Sequence, residues 1–212
     1  MVCCQSCHIY PHNAQKGNEM LILASESKSR FDILKNAGLE FEARPAFINE
    51  ADLKASNDMS TSEMALKLAV EKAKFVAKDF PNAFVIGADQ ILELDGKLFS
   101  KPADITMARK QLKKMRGKTH TLINGLAVVK NNEVLWSMHA GVRVKIRDFS
   151  DNFLETYLQK CGDSLLKTVG AYYIEGVGAQ LIEKLDGDYF SVLGLPLLPL
   201  LDFLRTQGII EK

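Results

Sequence analysis

The apolar positions of this chain fall into blocks whose period changes along its length, and the changes mark its elements. Met20-Leu-Ile-Leu-Ala24 is an unbroken apolar run closed by Ser25, the pattern of a strand buried on both faces. The period then lengthens: Phe31, Leu34 and Ala37 share one stripe of a helix predicted over residues 28–37, which Gly38 stops. Residues 39–47 read as a second strand. A longer amphipathic helix is predicted over residues 61–78, where Met64, Ala65, Leu68, Ala69 and Ala73 recur at helical spacing. Ser62 and Glu63 stand near its start, where the helix dipole favours a carboxylate. Ala83-Phe-Val-Ile-Gly-Ala88 is a further buried-strand run, ending in Asp89-Gln90.

Beyond the tight-turn pair Asp95-Gly96, a helix predicted over residues 105–115 ends at Gly117. Two strand-like segments, residues 119–130 and 133–146, flank the turn pair Asn131-Asn132. Ser150 caps a helix running to about residue 159. Glycine-punctuated strand segments are predicted over residues 170–184, and a last helix over residues 195–204 carries Pro196 near its first turn. Helices and strands alternate in the first half and the middle is a β-ribbon, so the fold class is α/β with a mixed sheet. Residues 20–212 contain no internal repeat and no long polar linker, and are read as a single domain.

Composition narrows the function classes. The 212 residues are 47% hydrophobic and 25% charged, and 27 Lys+Arg against 26 Asp+Glu leave a net charge of +1. That balance argues against a protein that coats nucleic-acid phosphates, which needs an excess of Lys and Arg. No apolar run approaches the roughly 20 residues that span a bilayer. Cys3, Cys4 and Cys7 crowd the start while Cys161 stands alone, which suits a reducing compartment better than a disulfide framework. Residues 1–19 are read as a disordered leader. The alternative is a metal knuckle built from Cys4, Cys7, His8 and His12. Met20, at the first strong strand, is a plausible translation start.

Candidate chemistry gathers at the strand ends. Ser25-Glu-Ser-Lys-Ser-Arg30 joins a buried strand to a helix N-terminus, where free N–H groups and the helix dipole attract anions. The hydroxyls of Ser25 and Ser27 can donate to phosphate oxygens, and Arg30 can clamp one bidentately. The same residues would also serve as an ordinary helix cap. Asp89 lies where a strand is predicted to end, a place suited to a metal or an activated water, and also to a simple turn. Glu50, after the second strand, can supply another oxygen ligand, and one or two carboxylates with phosphate and water is a usual Mg²⁺ site. Lys101, stiffened by Pro102, would be a point charge against phosphate. A phosphate nest, carboxylates and cations together point to phosphoryl chemistry on a nucleotide-like substrate. Neither a Walker A sequence nor G-x-G-x-x-G occurs. His120 and His139 lack partners at motif spacing and are read as structural, and Cys161 as inert.

Over about residues 21–204 these motifs, taken in order, resemble the Maf proteins, a family of nucleoside triphosphate pyrophosphatases. Leu21-Ile-Leu-Ala-Ser-Glu-Ser-Lys-Ser-Arg30 is similar to the family's opening L-A-S-x-S-P-R-R signature, with Lys28 in place of the usual Pro. Glu50 stands at its acidic position, and Glu71-Lys-Ala73 at its E-K-A motif. Ile86-Gly-Ala-Asp-Gln90 resembles the strand bearing its catalytic Asp, Lys101-Pro102 its K-P pair, and residues 117–120 its G-x-x-H segment. Gly170-Ala-Tyr-Tyr-Ile-Glu-Gly176 and residues 187–196 resemble its two late signatures.

The resemblance implies a Maf/ITPase-like mixed β-sheet flanked by helices, with a cleft between two lobes. It implies cleavage between the α and β phosphates of a nucleoside triphosphate, a divalent cation (Mg²⁺ or Mn²⁺), a cytoplasmic location and often a homodimer. Asp89 would activate water or help hold the metal, Glu50 would share the metal, and Arg30, Lys72 and Lys101 would neutralise the triphosphate. Ser29, Gln90 and Glu175 fall at the family's substrate-selecting positions. Gln90 and Glu175 match the branch that acts on 7-methyl-GTP, while Ser29 matches neither that branch nor the one acting on dTTP and UTP. Asn124 stands where Thr is common. Two other readings stand beside this one: a dTTP/UTP pyrophosphatase of the same family and, from the family's association with septum formation, a non-catalytic nucleotide-binding regulator of cell division.

Overall fold

In the computed structural model the described residues are 19–50, 53 and 59–211; the cysteine-rich leader, apart from Glu19, lies outside them. The elements are β1 (Leu21–Ala24), α1 (Lys28–Asn36), β2 (Glu42–Ala43), α2 (Thr61–Ala77), β3 (Phe84–Leu94), β4 (Lys97–Phe99) and α3 (Ile105–Met115). They continue with β5 (Thr119–Lys130), β6 (Glu133–Ile146), α4 (Asp151–Cys161), β7 (Ile182–Asp186), α5 (Tyr189–Val192) and α6 (Leu197–Thr206). Two short 3₁₀ segments, Gly162–Lys167 and Val177–Leu181, link α4 to β7. The α/β class with a mixed, helix-flanked sheet holds. Seven strands form one sheet in the order β2-β1-β3-β5-β6-β7, with β4 hairpinned onto β3. β1 runs parallel to β2 and β3, and the other pairs are antiparallel.

One strand joins the two ends of the molecule. β3 runs unbroken for 11 residues because the apolar pattern does not stop at Asp89: Ile91, Leu92 and Leu94 are buried as well. Asp89 therefore sits mid-strand, not at the strand end that the sequence suggested. Along one edge β3 pairs with β1 as far as Gly87, then with β4 from Leu92. Residues 88–91 lie in the gap between, where that edge of β3 has no strand partner among the described residues. Each end has its own core. Around the first, Leu23, Ile33, Leu34, Ile86, Leu126, Leu200 and Phe203 pack between β1, α1 and α6. Around the second, Leu92, Leu122, Val144, Leu154, Tyr157 and Tyr172 pack under α3 and α4. Each fully buried Leu here would cost about 2–5 kcal/mol if cut to Ala.

Three expectations change. The strand over residues 39–47 shrinks to Glu42–Ala43, since Glu40, Glu42 and Arg44 are exposed and Pro45 removes a donor. The strand expected over residues 170–184 survives only as β7, because Gly170 and Ala171 adopt φ of 83° and 56° and break the extended run. On α1 the buried stripe is Arg30, Ile33 and Leu34, whereas Phe31 is exposed, its ring edge-on to Phe41. The start of α2 carries a capping box one residue earlier than Thr61: Ser60 Oγ accepts from Glu63 N, and Glu63 Oε2 accepts from Ser60 N at 2.8 Å. Such a box contributes about 1 kcal/mol. Among the described residues no helix is long and apolar enough to cross a membrane.

Candidate active site

The seating of α2 decides the geometry. On the face of β3 that bears Asp89, the residue two positions back is Gly87 and the cross-strand partner on β5 is Gly125. A Cβ at Gly87 would fall 2.0 Å from the Ala69 carbonyl oxygen, and one at Gly125 2.1 Å from that of Ala65. The two absent side chains, facing the alanine stripe Ala65, Ala69 and Ala73, let helix backbone lie directly on strand backbone. Lys72, on the same side of the helix, is thereby brought to the carboxylate. Its Nζ lies 2.5 Å from Asp89 Oδ1 and 2.7 Å from Glu50 Oε1. The structure thus joins three of the residues expected to act together.

Asp89 is buried at 6% exposure, and its second oxygen, Oδ2, is buried with no hydrogen-bond partner. A carboxylate oxygen left unpaired in such a place is costly unless something else occupies its lone pairs. Arg30 supplies positive field from the other side. Its Nε donates to the Gly194 carbonyl at 2.8 Å and its Nη1 to Ser25 Oγ at 3.2 Å. Burial pushes the Arg30 pKa down, while the charges of Asp89 and Glu50 pull it back up.

At the end of β1 the chain turns as the sequence suggested. Ser25 Oγ accepts from Ser27 N, and Ser27 caps α1 by accepting from Arg30 N. Among the described residues neither hydroxyl donates to a protein acceptor. Ser29, in the first turn of α1, is half-buried. Lys101 is exposed in the loop after β4; the hairpin register, with Leu92 opposite Phe99, carries that loop back to the level of Gln90, yet Lys101 forms no ion pair among the described residues. Glu175 is exposed on the turn before the second 3₁₀ segment, and no hydrogen bond or ion pair ties it to the Asp89 cluster. His120, read as structural, is buried, and its Nε2 lies 2.8 Å from the Tyr172 hydroxyl.

Gln90 points the other way. Strand alternation sends it to the face opposite Asp89. There its Nε2 donates to Asn124 Oδ1 at 3.2 Å, to the Ser191 carbonyl at 3.0 Å and to the Val192 carbonyl at 3.3 Å. Asn124, its cross-strand partner, is fully buried and donates to the same Ser191 carbonyl at 2.9 Å. Asn124, Ser191 and Gly194 are contributors that sequence reasoning did not place in the site. The available signal was an Asn inside the apolar β5 run, a polar group that burial obliges to find partners.

Among the described residues no three His, Cys, Asp or Glu side chains converge as a ready metal cage. Glu50 and the unpartnered Asp89 Oδ2 do fit a hard divalent cation that takes its other ligands from phosphate and water. The Maf family profile, described as Maf-like protein, matches residues 20–207. A nucleoside triphosphate pyrophosphatase of Nitrobacter winogradskyi is 44% identical over 197 residues, covering 92% of this chain and 98% of the relative. A 7-methyl-GTP pyrophosphatase of Rhizobium meliloti is 44% identical over 195 residues, covering 91% and 98%. A match spanning the β1 turn, the Asp89 strand and the Gly194 turn alike, at this identity, leaves one conclusion: the chain belongs to the Maf family.

Proposed function

We propose that this protein is a nucleoside triphosphate pyrophosphatase that hydrolyses the α–β phosphate bond of a modified nucleotide, 7-methyl-GTP foremost, and so keeps non-canonical nucleotides out of nucleic acid. The observation that carries the reading is the unpartnered Oδ2 of Asp89, held beside Lys72 and facing the charge of Arg30. Oδ2 accepts a proton from water as the water oxygen attacks the α phosphorus. The α–β bridging oxygen leaves with pyrophosphate, and the nucleoside monophosphate remains. Lys72 holds Asp89 and Glu50 in place, while Arg30, Lys101 and the hydroxyls of Ser25 and Ser27 meet the triphosphate charge. A divalent cation would be held by Glu50 and Asp89 and, when bound, would supply further neutralisation of that charge.

Glu175 offers a carboxylate to the N1–H and N2–H₂ edge and the positive ring of a 7-methylguanine, which favours that base over uracil or thymine. Relatives named nucleoside triphosphate pyrophosphatase and 7-methyl-GTP pyrophosphatase support the reading. It includes a cytoplasmic location and a homodimer, the latter tested by sedimentation of the purified protein. The direct experiment is pyrophosphate release with Mg²⁺ or Mn²⁺ across 7-methyl-GTP, UTP, dTTP and the common triphosphates. Preference for 7-methyl-GTP is expected. Preference for UTP or dTTP would reject that branch, and no release from folded protein would favour a nucleotide-binding regulator.

A further inference from the structure

The position after the catalytic aspartate is expected to select the base, but its side chain is already engaged. Every donor of the Gln90 carboxamide is directed at the protein. The assignment of its nitrogen is fixed by chemistry, since two main-chain carbonyls, of Ser191 and Val192, require a donor there. The same reasoning fixes Asn124, whose Nδ2 faces the Ser191 carbonyl and whose Oδ1 receives Gln90. Two strands therefore grip one turn. The turn is also held from outside, where Asp188 Oδ2 accepts from Ser191 N at 2.7 Å and from Ser191 Oγ at 2.8 Å.

What the turn presents next matters for catalysis. Two residues beyond Val192, Gly194 adopts φ of 95°, and its carbonyl accepts the Arg30 Nε–H. A Cβ at Gly194 would lie 3.5 Å from Arg30 Nε and 3.7 Å from Gln90 Cδ, so both side chains come close to the same glycine. Arg30 has no acidic side chain within ion-pair distance among the described residues; its guanidinium is oriented by that carbonyl and by Ser25 Oγ.

Resting on the proposed pyrophosphatase reading and deepening it, we propose that Gln90 and Asn124 are positioning residues. They clasp the Ser191–Gly194 turn to the sheet so that the Gly194 carbonyl aims the Arg30 guanidinium at the phosphate. The clasp uses only the two N–H donors of Gln90 and leaves its Oε1 available to a base.

The test uses Gln90→Met, which keeps side-chain length and removes both N–H donors, and Asn124→Ser as a second variant should the first fail to fold. The clasp predicts that kcat for pyrophosphate release falls at least tenfold on each of 7-methyl-GTP, UTP and dTTP that the wild type turns over. In an Arg30→Lys background the same substitution is expected to cost less than twofold more, because the residues act in series. Hydrogen exchange of the Arg30 Nε–H, followed by NMR on the free protein, is expected to quicken at least tenfold. Unchanged Nε–H exchange overturns the proposal, and so does a kcat loss confined to one substrate, which would make Gln90 a base reader alone. A wild-type protein inert on every triphosphate refutes the proposed function instead, and the Nε–H exchange still tests the clasp.

Discussion

Asp89 and His120 lie on neighbouring strands, both are buried, and each has one side-chain atom with no hydrogen-bond partner, Oδ2 and Nδ1. Their surroundings differ in kind. Asp89 sits where β1 has stopped and β4 has not begun, with Lys72 at 2.5 Å and Arg30 held nearby. His120 meets a tyrosine hydroxyl beside the second core, and burial pulls its pKa down to about 4, so it is neutral at pH 7. An orphaned atom is thus not in itself a sign of function. At Asp89 it lies among charges at an opening in the sheet, where a ligand can complete it. At His120 it is an internal cost borne by an otherwise well-packed core.

The comparison breaks most sharply at Asp89. Asp89→Asn keeps the shape and removes the base; turnover is expected to fall by about 10³-fold while triphosphate binding, read by calorimetry, persists. Near-normal turnover would place the chemistry elsewhere. Lys72→Met leaves two carboxylates without their shared cation. We expect about 10²-fold lower turnover and about 3 kcal/mol lower stability in urea denaturation. Gly125→Ala forces α2 off the strand; a loss of about 2–4 kcal/mol and of at least tenfold in kcat is expected, since Lys72 moves with the helix.

Glu175→Gln is expected to lower the preference for 7-methyl-GTP over UTP by about tenfold without changing the melting temperature. At His120 the effect falls on stability alone. The folded pKa, about 4, lies below the ordinary value of 6.5, so the unfolded chain binds the proton first as pH falls. Stability is full above pH 6.5 and declines toward pH 4, by about 3 kcal/mol in all. Denaturation midpoints of wild type and His120→Leu at pH 7 and 4.5 measure this, and an equal acid sensitivity in both would acquit His120.

The sequence made the element types legible wherever burial imposes a period: β1, α2, α3, the β5–β6 ribbon and α4 lie close to where alternation and caps predict them. It misled where backbone geometry overrides composition. Residues 170–181 look strand-forming, but positive φ at Gly170 and Ala171 turns them away from the sheet. The apolar run of β3 seemed to end at Asp89 because a carboxylate is a poor guest in a strand; its cation partner, seventeen residues upstream on α2, is invisible to local reading. For the site, Ser25, Ser27, Arg30, Lys72 and Asp89 were identifiable as chemistry, but their roles as cap, anchor and partner needed coordinates. That Gln90 and Asp89 face opposite sides follows from strand alternation once β3 is known to continue. The hold of Asn124 on a turn 67 residues downstream does not.

β3 and β5 each run from one core into the other, so both ends of the molecule are built on the same two strands. The exposed turn of Glu175 and the loop of Lys101 lie outside that shared frame and can vary without disturbing it. Inheritance cannot so simply exchange one end for a foreign one, because the exchange would take with it two strands on which the other core also packs.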